Sequence, residues 1–204
     1  RMDLSIPLVV NEVNLSDAFG SKIIANPNCS TIQCMLPLSI LQDNYGISSI
    51  EYNTYQAVSG SGQKGIDDLN RTLAGESYDF YPYDISKTCI PQIDTFLEDG
   101  YTKEELKLMN EPKKILDPSI QVTATAVRVP VVGGHSEAVN VEFENDFEID
   151  ELKQMLANTD GIELKDDIMN NDYPMPYYAN GKDDVFIGRI RRDFTQANTV
   201  NMWI

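Results

Sequence analysis

In the stretch Ile23-Ile24-Ala25-Asn26-Pro27-Asn28-Cys29-Ser30-Thr31-Ile32-Gln33, an apolar run stops at Asn-Pro-Asn and a cysteine follows at once, where a helical pattern begins. A thiol at a helix start faces backbone N–H groups and the positive end of the macrodipole, and both favour the nucleophilic thiolate. The same N–H groups could stabilise an oxyanion on an attacked carbonyl. Free cysteine is also among the most buried residue types and commonly serves as a small hydrophobe. Position alone leaves Cys29 open between these two roles. Cys34, on the apolar face of the helix, and Cys89 fit the second.

A thiol nucleophile usually needs a base, and the chain holds a single histidine, His135, seven residues after Arg128 across Gly133-Gly134. Taken alone, such a histidine is more often a surface or cap residue. Glu111 and Lys114 are three residues apart and can share a helical face, as solvated charge pairs commonly do. Gly60-Ser61-Gly62-Gln63-Lys64-Gly65 matches GxGxxG, but seven residues separate the preceding strand from its first glycine. A dinucleotide turn begins as its strand ends. Gln63 and Lys64 also put bulk where a pyrophosphate would approach, so the segment reads as a flexible turn.

The elements that must position these groups follow from periodicity. Ile6–Val10 and Lys22–Ala25 are short apolar runs of the kind found in buried parallel strands. After Cys29, apolar residues recur at helical spacing toward a stop at Asn44-Tyr45-Gly46, with Pro37 expected to kink or shorten the helix. Ile47–Tyr52 reads as a strand and Ile66–Ala74 as a helix. Gly75–Gln92 is aromatic and turn-rich, with little to assign. Thr102–Leu108 reads as a helix with Thr102 as N-cap and Glu105 three residues on. Thr123–Val131 and Ala138–Phe143 alternate as two strands joined by a turn at Gly133-Gly134. Asp150–Ala157 resembles a short surface helix, and Val185–Ile190 and Thr199–Ile204 read as two more strands. The result is a mixed α/β chain with an antiparallel sheet in its second half.

Composition narrows the function. The 204 residues suffice for a proper core. With 32 acidic against 16 basic residues the net charge is -16, which disfavours binding to nucleic acid. No apolar run approaches the roughly 20 residues needed to span a bilayer, so no membrane partner is expected. The 3 cysteines include no CxxC pair and no secretory leader opens the chain, which together suggest the cytoplasm. Three scattered cysteines and one histidine do not make a metal ligand set, and no metal is expected.

Taken together, Asn26 to Gln33, Thr54-Tyr55-Gln56-Ala57-Val58-Ser59-Gly60-Ser61-Gly62, Asn110-Glu111-Pro112-Lys113-Lys114-Ile115-Leu116, Val127-Arg128-Val129-Pro130-Val131 and Gly134-His135-Ser136-Glu137 occur in one order. That order and wording resemble the bacterial form of the aspartate-semialdehyde dehydrogenase family. Pro91-Gln92-Ile93-Asp94, Gly100 to Glu105 and Gly188 to Asp193 resemble it too, so the likeness runs nearly end to end.

The resemblance implies an α/β fold. Its α+β catalytic domain would be the glyceraldehyde-phosphate-dehydrogenase-like C-terminal type, a mixed, largely antiparallel sheet flanked by helices. Residues 1–27 would be a remnant of a dinucleotide-binding Rossmann domain and residues 28–204 the catalytic and dimerisation domain. Most of the nucleotide domain would lie upstream of Arg1, and a final helix would follow Ile204.

The implied reaction is NADPH-dependent reductive dephosphorylation of β-aspartyl phosphate to aspartate β-semialdehyde, on the route to lysine, methionine, threonine and diaminopimelate. In it Cys29 forms a thioester, His135 shuttles the proton, and Gln56 orients the acyl group. Arg128 takes the α-carboxylate and Glu111 the α-ammonium. Lys114 and Arg1 take the phosphate, and Asn28 helps cradle the oxyanion. NADP(H) is the implied cofactor, the partners are the small-molecule substrate and further copies of the chain, as homodimer or homotetramer, and the isolated piece is expected to be inactive. The competing readings are a non-catalytic substrate-binding and dimerisation module, or a related acyl-phosphate reductase such as N-acetylglutamyl phosphate reductase.

Overall fold

A computed structural model describes residue 3 and residues 5–204 of the chain. The two early apolar runs do lie parallel, but as one bridge between Leu8 and Ala25 rather than as strands. Val9 N–H donates to Ala25 O and Ala25 N–H to Pro7 O, each at 2.9 Å. Neither run has a further sheet neighbour among the described residues, and a lone pair of short strands is marginal in water. Between them sits a one-turn helix, α1 (Asn11–Asn14), followed by a 3-10 turn over Leu15–Ala18.

Helix α2 (Cys29–Tyr45) continues unbroken past Pro37 and is not shortened by it. Pro37 removes one backbone donor. The helix persists because buried side chains occupy much of its circumference, among them Cys34, Met35, Leu36, Leu38 and Leu41. A helix covered all round belongs to the core rather than the surface. It ends at Gly46, whose φ of 67° suits glycine and whose N–H returns to Gln42 O at 3.0 Å. Strand β1 (Ile47–Gln56) follows, then a 3-10 turn over Val58–Ser61 and helix α3 (Gln63–Leu73).

Helix α4 (Lys103–Ile115) opens with the expected capping box: Thr102 Oγ1 accepts from Glu105 N–H at 3.2 Å while Glu105 Oε2 accepts from Thr102 N–H at 2.7 Å. The other oxygen of Glu105 takes the N–H of Ala126 at 2.9 Å, which ties the helix to strand β2 (Gln121–Arg128). After β2 come β3 (Ser136–Phe143), α5 (Ile149–Ala157), β4 (Ile162–Leu164), α6 (Pro176–Ala179), β5 (Val185–Arg192) and β6 (Thr199–Trp203).

The sheet order is β2-β1-β3-β6-β5-β4. β1 pairs parallel to β2 and antiparallel to β3; β3–β6 and β5–β6 are antiparallel, and β4–β5 is parallel. The two strands flanking Gly133-Gly134 therefore form but do not pair with each other, because β1 lies between them. Alternation in a strand reports which residues face the core, not which strand is the neighbour. The connection crosses the end of β1, where Val58 N–H donates to Val131 O at 2.8 Å and Ser59 N–H to Val132 O at 3.1 Å.

Helices α2, α4 and α5 pack on the sheet, and the main core gathers Leu38, Leu41, Ile50, Tyr52, Leu108, Val141 and Leu152. A smaller cluster of Val58, Leu69, Tyr81, Ile85 and Ile90 organises the aromatic middle segment. Asp68 anchors that segment by accepting the N–H groups of Asp79 and Tyr81 at 2.7 and 3.0 Å. Cys34 is fully buried as expected, whereas Cys89 is exposed. The adjacent Ile90 is bridged to Arg128 and faces inward, which turns Cys89 to the outside. Among the described residues no helix is long and apolar enough to cross a membrane.

Candidate active site

Cys29 is the first residue of α2, and its N-cap, Asn28, is held from three sides. Asn28 Oδ1 accepts from Ser30 N–H at 2.9 Å, its backbone N–H donates to Glu111 Oε2 at 2.7 Å, and its Nδ2 donates to Glu104 Oε1 at 2.8 Å. Cys29 reaches the surface, with Sγ 3.9 Å from Asn28 Oδ1. Loss of water around the sulfur, and then the negative charge of Glu104, push the thiol above its ordinary range. Those two effects outweigh the backbone N–H groups at the helix start. The helix-start N–H groups of Ser30 and Cys29 do pull toward the thiolate as expected, but the net shift at rest is upward.

An open cavity of about 620 Å³ is lined by Asn28, Cys29, Gln56, Gly60, Glu104 and Arg128, among others. Gln56 and Arg128 end β1 and β2 and face each other in the parallel register. The buried Gln56 carboxamide donates through Nε2 to Thr54 Oγ1 at 3.2 Å and Glu104 Oε1 at 3.3 Å. Arg128 is buried too, and its Nη1 donates to Ala57 O at 2.5 Å. Burial pulls its guanidinium below the usual arginine range. No salt bridge joins it to a carboxylate among the described residues, so its fork is open to an anion.

His135 takes its orientation from the same residue: Ala57 N–H donates to His135 Nδ1 at 3.0 Å, which leaves the imidazole proton on Nε2. The ring lines an adjoining cavity of about 390 Å³, and Ile32 lines both. Gly60 lies between His135 and Arg128; a Cβ there would come 2.9 Å from Arg128 Nη1 and 3.5 Å from His135 Nε2. Burial, then the Arg128 charge, lower the His135 pKa to about 4. The near-neutral value of a free imidazole does not apply, and the resting ring is uncharged at pH 7. Among the described residues no hydrogen bond joins Cys29 to His135.

Glu111 does not line the Cys29 cavity. It is wholly buried and braces Asn28 from behind. Lys114 is also outside that cavity, with Nζ donating to Asp3 O and Ile6 O at 2.7 Å each. Arg1 lies outside the described residues. The carboxylates that do line the cavity are Asp94 and Glu104, which share Lys107 at 3.4 and 3.0 Å. The sequence assigns no site role to Glu104 or to Gly60, which reads there only as part of a flexible turn. The Glu104/Lys107 spacing was visible, but the partners Asn28 and Gln56 lie 76 and 48 residues away.

Behind the site, Cys34 Sγ lies 2.8 Å from Glu137 Oε2 in a pair without solvent. Burial raises Glu137 to about 8 against the opposing pull of the Cys34 hydrogen bond, and lifts Cys34 well above its ordinary value. The GxGxxG-like segment forms no dinucleotide cradle. Gly60 abuts Arg128, and a Cβ on Gly65 would meet Tyr81 Oη and Val58 O at 2.6 Å, so the glycines serve close packing. This chain's own residues therefore do not fit a bound dinucleotide at that motif.

A family model described as semialdehyde dehydrogenase, dimerisation domain, matches residues 38–204. An aspartate-semialdehyde dehydrogenase of Aquifex aeolicus is 46% identical over all of this chain, which spans 63% of that relative's length. A solved structure of aspartate semialdehyde dehydrogenase II complexed with ASA from Vibrio cholerae superposes with a TM-score of 0.92 at 44% identity, covering 99% of this chain and 62% of that one. A second, aspartate semialdehyde dehydrogenase with NADP from Candida albicans, gives 0.69 at 25% identity, covering 99% of this chain and 62% of that one.

Proposed function

The chain belongs to the semialdehyde dehydrogenase family, and from that premise we propose that it is the catalytic and dimerisation part of an NADPH-dependent aspartate-semialdehyde dehydrogenase. Residues 28–204 form that part and residues 1–27 are the remnant of a dinucleotide-binding domain. The observation that carries the reading is the shared cavity of Cys29, Gln56 and Arg128, a thiol at a helix start facing an amide and an unmatched guanidinium.

In the proposed reaction Cys29 Sγ attacks the acyl carbon of β-aspartyl phosphate, the bond from that carbon to the bridging oxygen breaks, and inorganic phosphate leaves with the oxygen. The product is a thioester on Cys29, which splits one hard step into two easier ones. NADPH, when bound, would supply the hydride that takes the acyl group on Cys29 to the aldehyde oxidation level. Collapse of the resulting thiohemiacetal breaks the C–S bond and returns the thiol.

His135, neutral at rest, accepts the thiol proton and later returns it. Asn28 and Gln56 offer carboxamides to the developing oxyanion and the acyl group. Arg128 binds the α-carboxylate through two parallel bonds. The α-ammonium meets the acidic wall of the cavity at Asp94, in place of the buried Glu111. Lys114, which lies against the segment following Arg1, receives the phosphate together with Arg1.

A homodimer or homotetramer fits the outer face of the sheet, where Glu51, Tyr55, Thr123 and Thr125 are exposed. The proposed setting is cytoplasmic synthesis of lysine, methionine, threonine and diaminopimelate.

The test is phosphate-dependent oxidation of aspartate semialdehyde with NADP+ by the full-length protein, run against N-acetylglutamate semialdehyde and glyceraldehyde 3-phosphate. Preference for the first, lost in Cys29→Ala with the fold intact, is expected. Preference for either other aldehyde, or turnover surviving Cys29→Ala, overturns the reading.

A further inference from the structure

Glu104 is the most constrained charged group in the Cys29 cavity. It is 5% exposed, and three side chains hold its carboxylate: Asn28 Nδ2 at 2.8 Å, Gln56 Nε2 at 3.3 Å and Lys107 Nζ at 3.0 Å. Burial alone would raise its pKa, but the Asn28 and Lys107 hydrogen bonds together bring it below the usual carboxylate range. The group is therefore an anion at neutral pH, and an anion accepts hydrogen bonds without donating any.

That one-way chemistry settles how two carboxamides point. An amide has a donor end and an acceptor end, and rotation by half a turn exchanges them. With Nδ2 anchored on Glu104, the Asn28 oxygen is directed to Ser30 N–H, where it caps the helix that carries Cys29. With Nε2 anchored on the same oxygen of Glu104, the Gln56 oxygen is turned away from it. A single carboxylate thus sets two carboxamides that line the cavity with the thiol.

We propose that Glu104 is a positioning residue of this site, orienting the Asn28 and Gln56 carboxamides and setting its negative charge against the Cys29 thiol. This rests on the reading of Cys29 as the nucleophile. Besides Glu104, the charged or titratable groups around Cys29 are Lys107 and Glu111 on α4, Asp94 before that helix, Arg128 on β2 and Glu137 on β3, with His135 uncharged. Lys107 partly offsets Glu104, so the two should act on the thiol in opposite senses. Opposite shifts from two neighbours on one helix are not what general damage to the fold produces.

The experiment is iodoacetamide alkylation of this chain across pH, with the Cys29 peptide resolved from the exposed Cys89 by mass spectrometry. Glu104→Gln should move the Cys29 half-point to lower pH and Lys107→Gln to higher pH. In the full-length protein Glu104→Gln should also lower kcat on the order of tenfold to a hundredfold, since small misplacements of orienting groups cost that much, with a smaller effect on KM. Half-points that coincide with the unchanged chain, or that move together in one direction, overturn the proposal, as does an unchanged kcat. Turnover that survives Cys29→Ala would instead remove the dehydrogenase reading, and the alkylation shifts would still stand or fall separately.

Discussion

The backbone N–H of Asn28 donates to Glu111 Oε2 at 2.7 Å across 83 residues of sequence. A wholly buried carboxylate thereby fixes the Pro27–Asn28 peptide, one residue before Cys29. Removing the acceptor strands a buried N–H, which costs about 1–3 kcal/mol. Glu111→Ala should lower the urea midpoint accordingly, with the slope unchanged. A midpoint equal to that of the parent chain would show that this brace contributes nothing.

The single histidine gives a clean spectroscopic handle. His135 should titrate at about 4 rather than at the 6.5 of a free imidazole, because burial and Arg128 both oppose its protonation. An NMR titration of the imidazole resonances reads this directly. A midpoint near 6.5 would mean that the ring is solvated and the Ala57 contact is not kept.

Two buried groups make stability depend on pH in opposite senses. Glu137 keeps its proton up to about 8 in the folded chain, against 4.5 when unfolded, so it contributes stability below 4.5 that is lost as pH rises toward 8. His135 is lowered to about 4 from 6.5, so its contribution is present above 6.5 and lost as pH falls through 4. Between 6.5 and 8 Glu137 acts without His135. Over that window the urea midpoint should fall more for the parent chain than for Glu137→Gln. Parallel curves for the two would place the carboxylate in contact with water.

Gly60 owes its identity to a neighbour. In Gly60→Ala the new Cβ would sit 2.9 Å from Arg128 Nη1 and force the guanidinium to move. In the full-length protein both Gly60→Ala and Arg128→Lys should raise KM about tenfold or more, the second because a lysine cannot reproduce the two-bond fork. The double variant should add little to either, as both act on one contact. An unchanged KM in Arg128→Lys would move the carboxylate site elsewhere.

Some of this arrangement was legible in the chain. The Thr102/Glu105 capping box, the glycine stop at Gly46 and the inward faces of β1, β2 and β3 depend on residues within a few positions of one another. Such patterns survive in a linear reading because local geometry repeats at 3.6 or 2 residues. The order of motifs around Cys29, Gln56, Glu111, Arg128 and His135 also brought the family likeness into view.

What the chain alone determined was most of the elements and the chemical types available: one thiol at a helix start, one imidazole, and Arg128 in a motif of the family. Only the tertiary structure decided that β1 separates β2 from β3, that the Ala57 backbone contacts both His135 and Arg128, and that Glu104 rather than Glu111 lines the Cys29 cavity. It also decided the resting charges, with the thiol raised and the imidazole lowered. Strand partners and ionisation are set by what lies across space and by how much water is excluded, and neither distance nor burial is written in residue order.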